Sequence, residues 1–137
     1  MDGGSQFSGK QVSALDSTAI VSSALEPFDS GIFLHGSPSA YPPDCSRVVF
    51  PSILNIAWSN ALLNKTMADL LHAGAKMICG VAIVDGQNLL HAAVYVNYAL
   101  FDTPLEDMYG GNLARLHTIK AKIDPERVMD LAGGFKF

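Results

Sequence analysis

Charge is scarce in this chain. Of its 137 residues 16% are Asp, Glu, Lys or Arg against 49% hydrophobic, and the nine basic and thirteen acidic side chains leave a net charge of −4. Phosphate backbones are held by stripes of neutralising cations, and with none here nucleic acid is not an expected partner. Cysteine is rarer still. Cys45 and Cys79 form no CxxC, so they are expected reduced and buried, as in a cytoplasmic protein. The four histidines, 35, 72, 91 and 117, fall into neither HxH nor HExxH spacing, and no GxSxG accompanies them. A metal site and a hydrolase triad are therefore not expected. The longest unbroken apolar run, MICGVAIV from Met77 to Val84, falls well short of the roughly 20 residues a bilayer requires. The opening MDGGSQFSGK lacks the basic flank and apolar segment of a signal peptide. Neither a membrane nor a secretory route is expected.

What is present is apolar residue in a chain of one domain's size. Small domains have much surface for their volume, so apolar surface should remain after folding, and a homodimer is the expected way to cover it. Residues 1–26, rich in Ser, Gly, Asp and Ala, read as a flexible or subunit-wrapping arm in which only VSALDSTAIVSSAL hints at helical or strand order. Residues 27–137 read as one α+β domain, a small antiparallel sheet with helices packed on one face. Within it GIFLH (31–35) and RVVFPSILNIAW (47–58) have strand character, and Pro51 implies an edge or bulge. Ser59 or Asn60 should cap a long helix carrying Leu63, Met67, Leu70, Leu71, Gly74, Ile78 and Val81 on one face and ending at Asp85-Gly86. His91–Tyr95 reads as a short strand. Thr103-Pro104-Leu105-Glu106 reads as a helix start with Thr103 as cap and Pro104 in the first turn. Gly110-Gly111 should break that helix, and Asp124-Pro125 should stop the next, whose Lys120 and Lys122 read as a solvated face.

Several residues are candidates for chemistry. The phenol of Tyr98, with an ordinary pKa near 10, would donate rather than abstract a proton at neutral pH. Asn97 offers both donor and acceptor, to orient a carbonyl or to cap a turn. His91 lies at a predicted strand end, where a cleft mouth is expected. Arg47 stands among apolar neighbours, which suggests either a buried pair with Asp44 or a ligand-facing donor. Trp58, Phe50, Phe33, Tyr41 and Met67 are candidates for an apolar pocket or for plain core.

Three stretches, YVNYALFD (95–102), YGGNLARLHTIKAKIDP (109–125) and the closing GGFKF (133–137), together resemble the C-terminal signature of berberine bridge enzyme-like FAD-linked oxidases of the vanillyl-alcohol oxidase superfamily, fungal type. AWSNALLNKTMADLL (57–71) resembles the helix before that signature more weakly. The resemblance implies the substrate-domain end of such a fold. It implies that Asn97 faces the flavin ring, that Tyr98 faces the substrate, and that Tyr109 and Asn112 are further substrate-side positions. The departure is equally plain. Within these 137 residues no FAD-binding domain is expected, since neither a glycine-rich pyrophosphate segment nor the His and Cys motifs of covalent flavin attachment can be read in them. The resemblance therefore carries the fold without the oxidation, and no cofactor is expected. The leading expectation is a cofactor-independent cyclase or isomerase, with Diels-Alder or hetero-Diels-Alder cycloaddition among its reactions. Its substrate would be an apolar polyketide or terpenoid of fungal secondary metabolism. The alternatives are a fragment or subunit of an FAD-dependent oxidoreductase and a metabolite-binding accessory protein.

Overall fold

The computed structural model describes residues 9–28, 39–42 and 51–137. The fold is α+β, with a two-stranded antiparallel sheet accompanied by helices. The chain forms two compact units, each assembled from two separated stretches: Met1–Glu26 with Ser52–Leu90, and Pro27–Pro51 with His91–Phe137.

In unit 1 the hint of order in VSALDSTAIVSSAL becomes a helix followed by a strand. Helix α1 spans Gly9–Leu15 and strand β1 spans Ile20–Leu25. Strand β1 pairs antiparallel with β2, Ser52–Ala57, placing Val21 opposite Ile56 and Ser23 opposite Leu54. Pro51 stands just before β2, where its missing N–H interrupts no ladder bond. The predicted strand at Gly31–His35 and residues 47–50 lie outside the described residues. A 3-10 turn, Ala61–Leu63, opens the long helix and is capped as predicted, Asn60 Oδ1 accepting the Leu62 N–H at 3.0 Å. Helix α2 then runs from Asn64 to Val84. It ends at Asp85-Gly86, the glycine adopting φ 88°, a left-handed conformation that strains residues with a Cβ. Val12 of α1, Ile56 of β2 and Met67 of α2 form one buried cluster, with Ala19, Val21, Trp58, Leu63, Leu70 and Leu71 packed around it. Both helices therefore cover the face of the sheet that carries Val21 and Ile56.

Six-residue strands are about 20 Å long, whereas the 21 residues of α2 reach about 31 Å. The helix outruns the sheet. Its core stripe continues beyond Gly74 without cover: Ile78 is 44%, Val81 59% and Val84 87% exposed. Ile78 and Val81, expected on a packed face, are thus bare, and Cys79, expected buried, is exposed. Cys45 lies outside the described residues. The eight-residue apolar run understates this element. The helical stretch Ala61–Val84 has 24 residues, contains an 18-residue window of mean hydropathy 1.5, and is, by length and composition alone, long and apolar enough to cross a membrane.

A second device holds unit 1. Asp16, only 8% exposed, accepts from the Thr18 N–H (2.9 Å) and hydroxyl (2.6 Å), the Ser59 N–H (3.1 Å) and hydroxyl (3.3 Å), and the Asn60 N–H (3.4 Å). One carboxylate thereby ties the α1–β1 turn to the β2–α2 connection. The Thr18 hydroxyl, with the Thr18, Ser59 and Asn60 N–H groups, holds its pKa far below the usual carboxylate range.

In unit 2 the predicted strand at His91–Tyr95 does not form. The Val94 N–H donates to the Asp107 carbonyl (2.8 Å), which anchors the segment to a helix instead of a neighbouring strand. Val96–Tyr98 is a 3-10 turn. Helix α3 spans Leu105–Tyr109, with Pro104 at the cap position and no side-chain capping bond, so the predicted start is displaced by one residue and Thr103 does not cap. Gly110, at φ 49° and ψ −132°, breaks α3 as predicted. After a second 3-10 turn, Gly110–Asn112, helix α4 spans Leu113–Ile123 and stops at Asp124, before Pro125. Met108 is fully buried.

Lys120 is not on a solvated face. Its side chain is 17% exposed and clasped by Asp124 (3.0 Å) and Asp130. Asp124 also accepts the Val128 (2.7 Å) and Met129 (3.1 Å) N–H groups, and Asp130 takes Arg127 Nε (2.7 Å). Hydrogen bonds to Asp130 and Asp124 raise the Lys120 pKa. The bond from Lys120, supported by Arg127, lowers that of Asp130. For Asp124 burial pushes upward, but the Lys120 ammonium and the two backbone donors outweigh it and the net shift is down.

Candidate functional site

The residues singled out from sequence divide between the units. Arg47, Phe33 and Phe50 lie outside the described residues. Met67 and Trp58, offered for a pocket wall or core, belong to the core of unit 1: Met67 is fully buried, and Trp58 packs against the same cluster while its indole N–H donates to Asn64 Oδ1 at 2.8 Å. A buried thioether filling an interior gap is the ordinary use of methionine.

Unit 2 gathers most of the others. In the 3-10 turn, residues three apart eclipse. The Tyr95 and Tyr98 rings meet edge-on, 5.0 Å apart at 87°. Tyr41 packs edge-on against Tyr95 at 5.8 Å and 69°. Asn97 Nδ2 donates to the Tyr95 hydroxyl at 2.9 Å, so the carboxamide is oriented while its oxygen keeps acceptor capacity. The Tyr41 hydroxyl donates to the Ala93 carbonyl (3.4 Å). Burial, with Tyr95 beside it, raises the Tyr41 pKa, which keeps this phenol neutral. Asn112 fastens the strip that carries Tyr41: its Nδ2 donates to the carbonyls of Ala40 (3.0 Å) and Ser39 (3.3 Å).

Tyr41, Asn97 and Tyr98 thus come together, with Asn112 supporting them. Tyr109 instead packs on Phe137 at 5.2 Å. His91 is exposed in a turn, and among the described residues no hydrogen bond or ring contact joins it to the cluster. Sequence reasoning passed over Tyr95, which touches Tyr41, Tyr98 and Asn97. The available signal was its position three residues before Tyr98 in a short turn.

The flavin implied by the resemblance needs a cradle of free backbone N–H groups for its pyrophosphate. The described strand-to-helix connection is Trp58–Leu63, which contains no glycine. Its Ser59 and Asn60 N–H groups already bind the Asp16 carboxylate, and its Leu62 N–H binds Asn60. These residues do not fit a pyrophosphate.

Residues 94–132 match the family described as berberine and berberine like. The match begins at Val94 and takes in the tyrosine turn, Tyr109, Asn112 and the Lys120 clasp. It does not reach the weaker likeness at 57–71. No curated protein and no solved structure matches the chain. The match supports berberine-like kinship for the segment that carries Tyr95, Asn97 and Tyr98.

Proposed function

We propose that this chain binds an apolar small molecule against the tyrosine cluster and promotes its cyclisation or isomerisation without a cofactor. Cycloaddition of a polyketide or terpenoid intermediate in fungal secondary metabolism is the reaction class in view, carried out in the cytoplasm by a homodimer. The observation that carries the reading is the Asn97 carboxamide, oriented by Tyr95 within an aromatic surface made by Tyr41, Tyr95 and Tyr98. Ring reactions of this kind require no covalent intermediate. They are accelerated by holding the reacting atoms in a near-attack pose and by hydrogen bonds to a developing enolate or carbonyl oxygen. The aromatic rings hold the apolar body, and Tyr98 and Asn97 donate to that oxygen. The bare stripe of α2 is the surface by which two copies associate. An antiparallel twofold contact centred on Val81 would set Ile78 of each copy against Val84 of the other.

A second reading, a segment of an FAD-dependent oxidoreductase, is favoured by the family match over residues 94–132. Native mass spectrometry with a visible spectrum on the same untagged sample separates the two. A colourless dimer retaining an apolar metabolite supports the first reading. Stoichiometric, tightly bound flavin sinks it. With the retained metabolite as a guide to substrate, Tyr98→Phe and Asn97→Ala should each lower kcat about a hundredfold.

A further inference from the structure

We infer that the cleft at the C-terminal end of α4 is a second binding site, for a small aromatic carboxylate. This open cleft of ≈ 320 Å³ is lined by His117, Ala121, Pro125, Arg127 and Phe137, together with Lys120 and Asp124 of the clasp. That volume lies at the lower end of the range for small-molecule sites. The argument for a ligand begins with Arg127. Its Nε and Nη2 both engage Asp130 Oδ2, at 2.7 and 2.6 Å. Asp130 is itself fixed by Lys120, so the guanidinium is held in place before any ligand arrives. Its outer edge, Nη1 with the second N–H of Nη2, has no partner among the described residues. That edge is the planar fork that matches a carboxylate with two parallel hydrogen bonds. Arg127 is also the one non-glycine residue among those described with a positive φ, 56°.

The rest of the cleft selects the body of the ligand. The Phe137 ring stands edge-on to His117 at 6.3 Å, and Ala121 and Pro125 add apolar surface. A flat aromatic ring can lie along these groups with its carboxylate on Arg127, and the exposed His117 imidazole supplies a further polar contact. Charge selects a monoanion. Lys120 and Arg127 are together balanced by Asp124 and Asp130, so the cleft offers one directional donor edge and no surplus positive charge. A phosphate dianion would meet more repulsion there than attraction.

The test is a heteronuclear NMR titration of the full chain with phenylacetate, benzyl alcohol and inorganic phosphate in turn. Phenylacetate should give saturable shifts centred on the Ala121, Arg127 and Phe137 amides. Benzyl alcohol should bind at least about tenfold more weakly, as loss of a charge-assisted hydrogen bond implies, and phosphate should not saturate. Arg127→Gln should weaken phenylacetate by a similar factor. Ala121→Phe puts bulk into the cleft while leaving every charged group of the clasp in place, and should abolish binding. Should Arg127→Gln loosen the clasp, the Ala121→Phe result decides alone. Non-saturating phenylacetate shifts, equal affinity for the alcohol, a preference for phosphate, or undiminished binding to Ala121→Phe would each overturn the assignment.

Discussion

The two units are held by different physics. Unit 1 has a small hydrophobic cluster, Val12, Ile56 and Met67, locked by one carboxylate whose donors are all uncharged. Unit 2 has a single fully buried hydrophobic residue among those described, Met108. It relies on an ion-pair clasp around Lys120, edge-on aromatic contacts and side-chain bonds to loop carbonyls. A regular sheet face lets a helix bury a stripe. Where the described residues form no strand, polar and aromatic contacts between short turns take that role. The family match falls within the polar unit, where side chains are fixed individually, as a site requires.

The largest expected test of the contrast is Met67→Ala. It should destabilise unit 1 by about 2–5 kcal/mol, the usual cost of emptying a fully buried methionine site. Trp58, the only tryptophan and a member of unit 1, reports this as a lower urea midpoint in its fluorescence. An unchanged midpoint would mean that the cluster is not the core.

Next in size is the uncovered stripe. In a twofold contact Val81→Asp would set two like charges face to face. Sedimentation should then show the wild-type chain as a dimer and the variant as a monomer, with Trp58 emission unchanged. A wild-type monomer at high micromolar concentration would remove self-association from the functional reading.

pH should separate the locks. Asp16, Asp124 and Asp130 have depressed folded-state pKa values. The stability they contribute is therefore complete above the unfolded value of about 3.9 and is lost as pH falls below it, so acid should loosen both units. Lys120 and Tyr41 have raised values. Their contribution is complete below about 10 and is lost as pH rises through their folded-state values. Both residues are in unit 2, so alkali should disturb tyrosine circular dichroism before Trp58 fluorescence. Simultaneous alkaline transitions would break the comparison. The smallest effect is that of salt. At 1 M, with a screening length of about 3 Å, the Lys120 clasp should weaken slightly and the Asp16 lock should not, as a melt followed at the two chromophores would show.

Local signals were read correctly where neighbours in sequence decide the structure. Asn60 caps, Asp85-Gly86 and Gly110 terminate, and Asp124 precedes a proline that ends α4, because caps and breakers act within one turn. What was missed depends on distant partners. Asp16 meets Ser59 and Asn60, and Tyr41 reaches Ala93 from far along the chain. Lys120 resembles any exposed helical lysine until the turn after Pro125 brings Asp130 onto it. His91–Tyr95 has strand-like composition, but its anchor is a helix carbonyl.

Sequence by itself determined the α+β class and most helix ends, since these follow from periodicity and capping. Tertiary structure decided which apolar residues are core. Ile78 and Val81 continue the periodicity of Met67 and Leu70, yet only the earlier pair packs, because strand pairing sets the length of the sheet and nothing in the helix pattern records where that sheet stops.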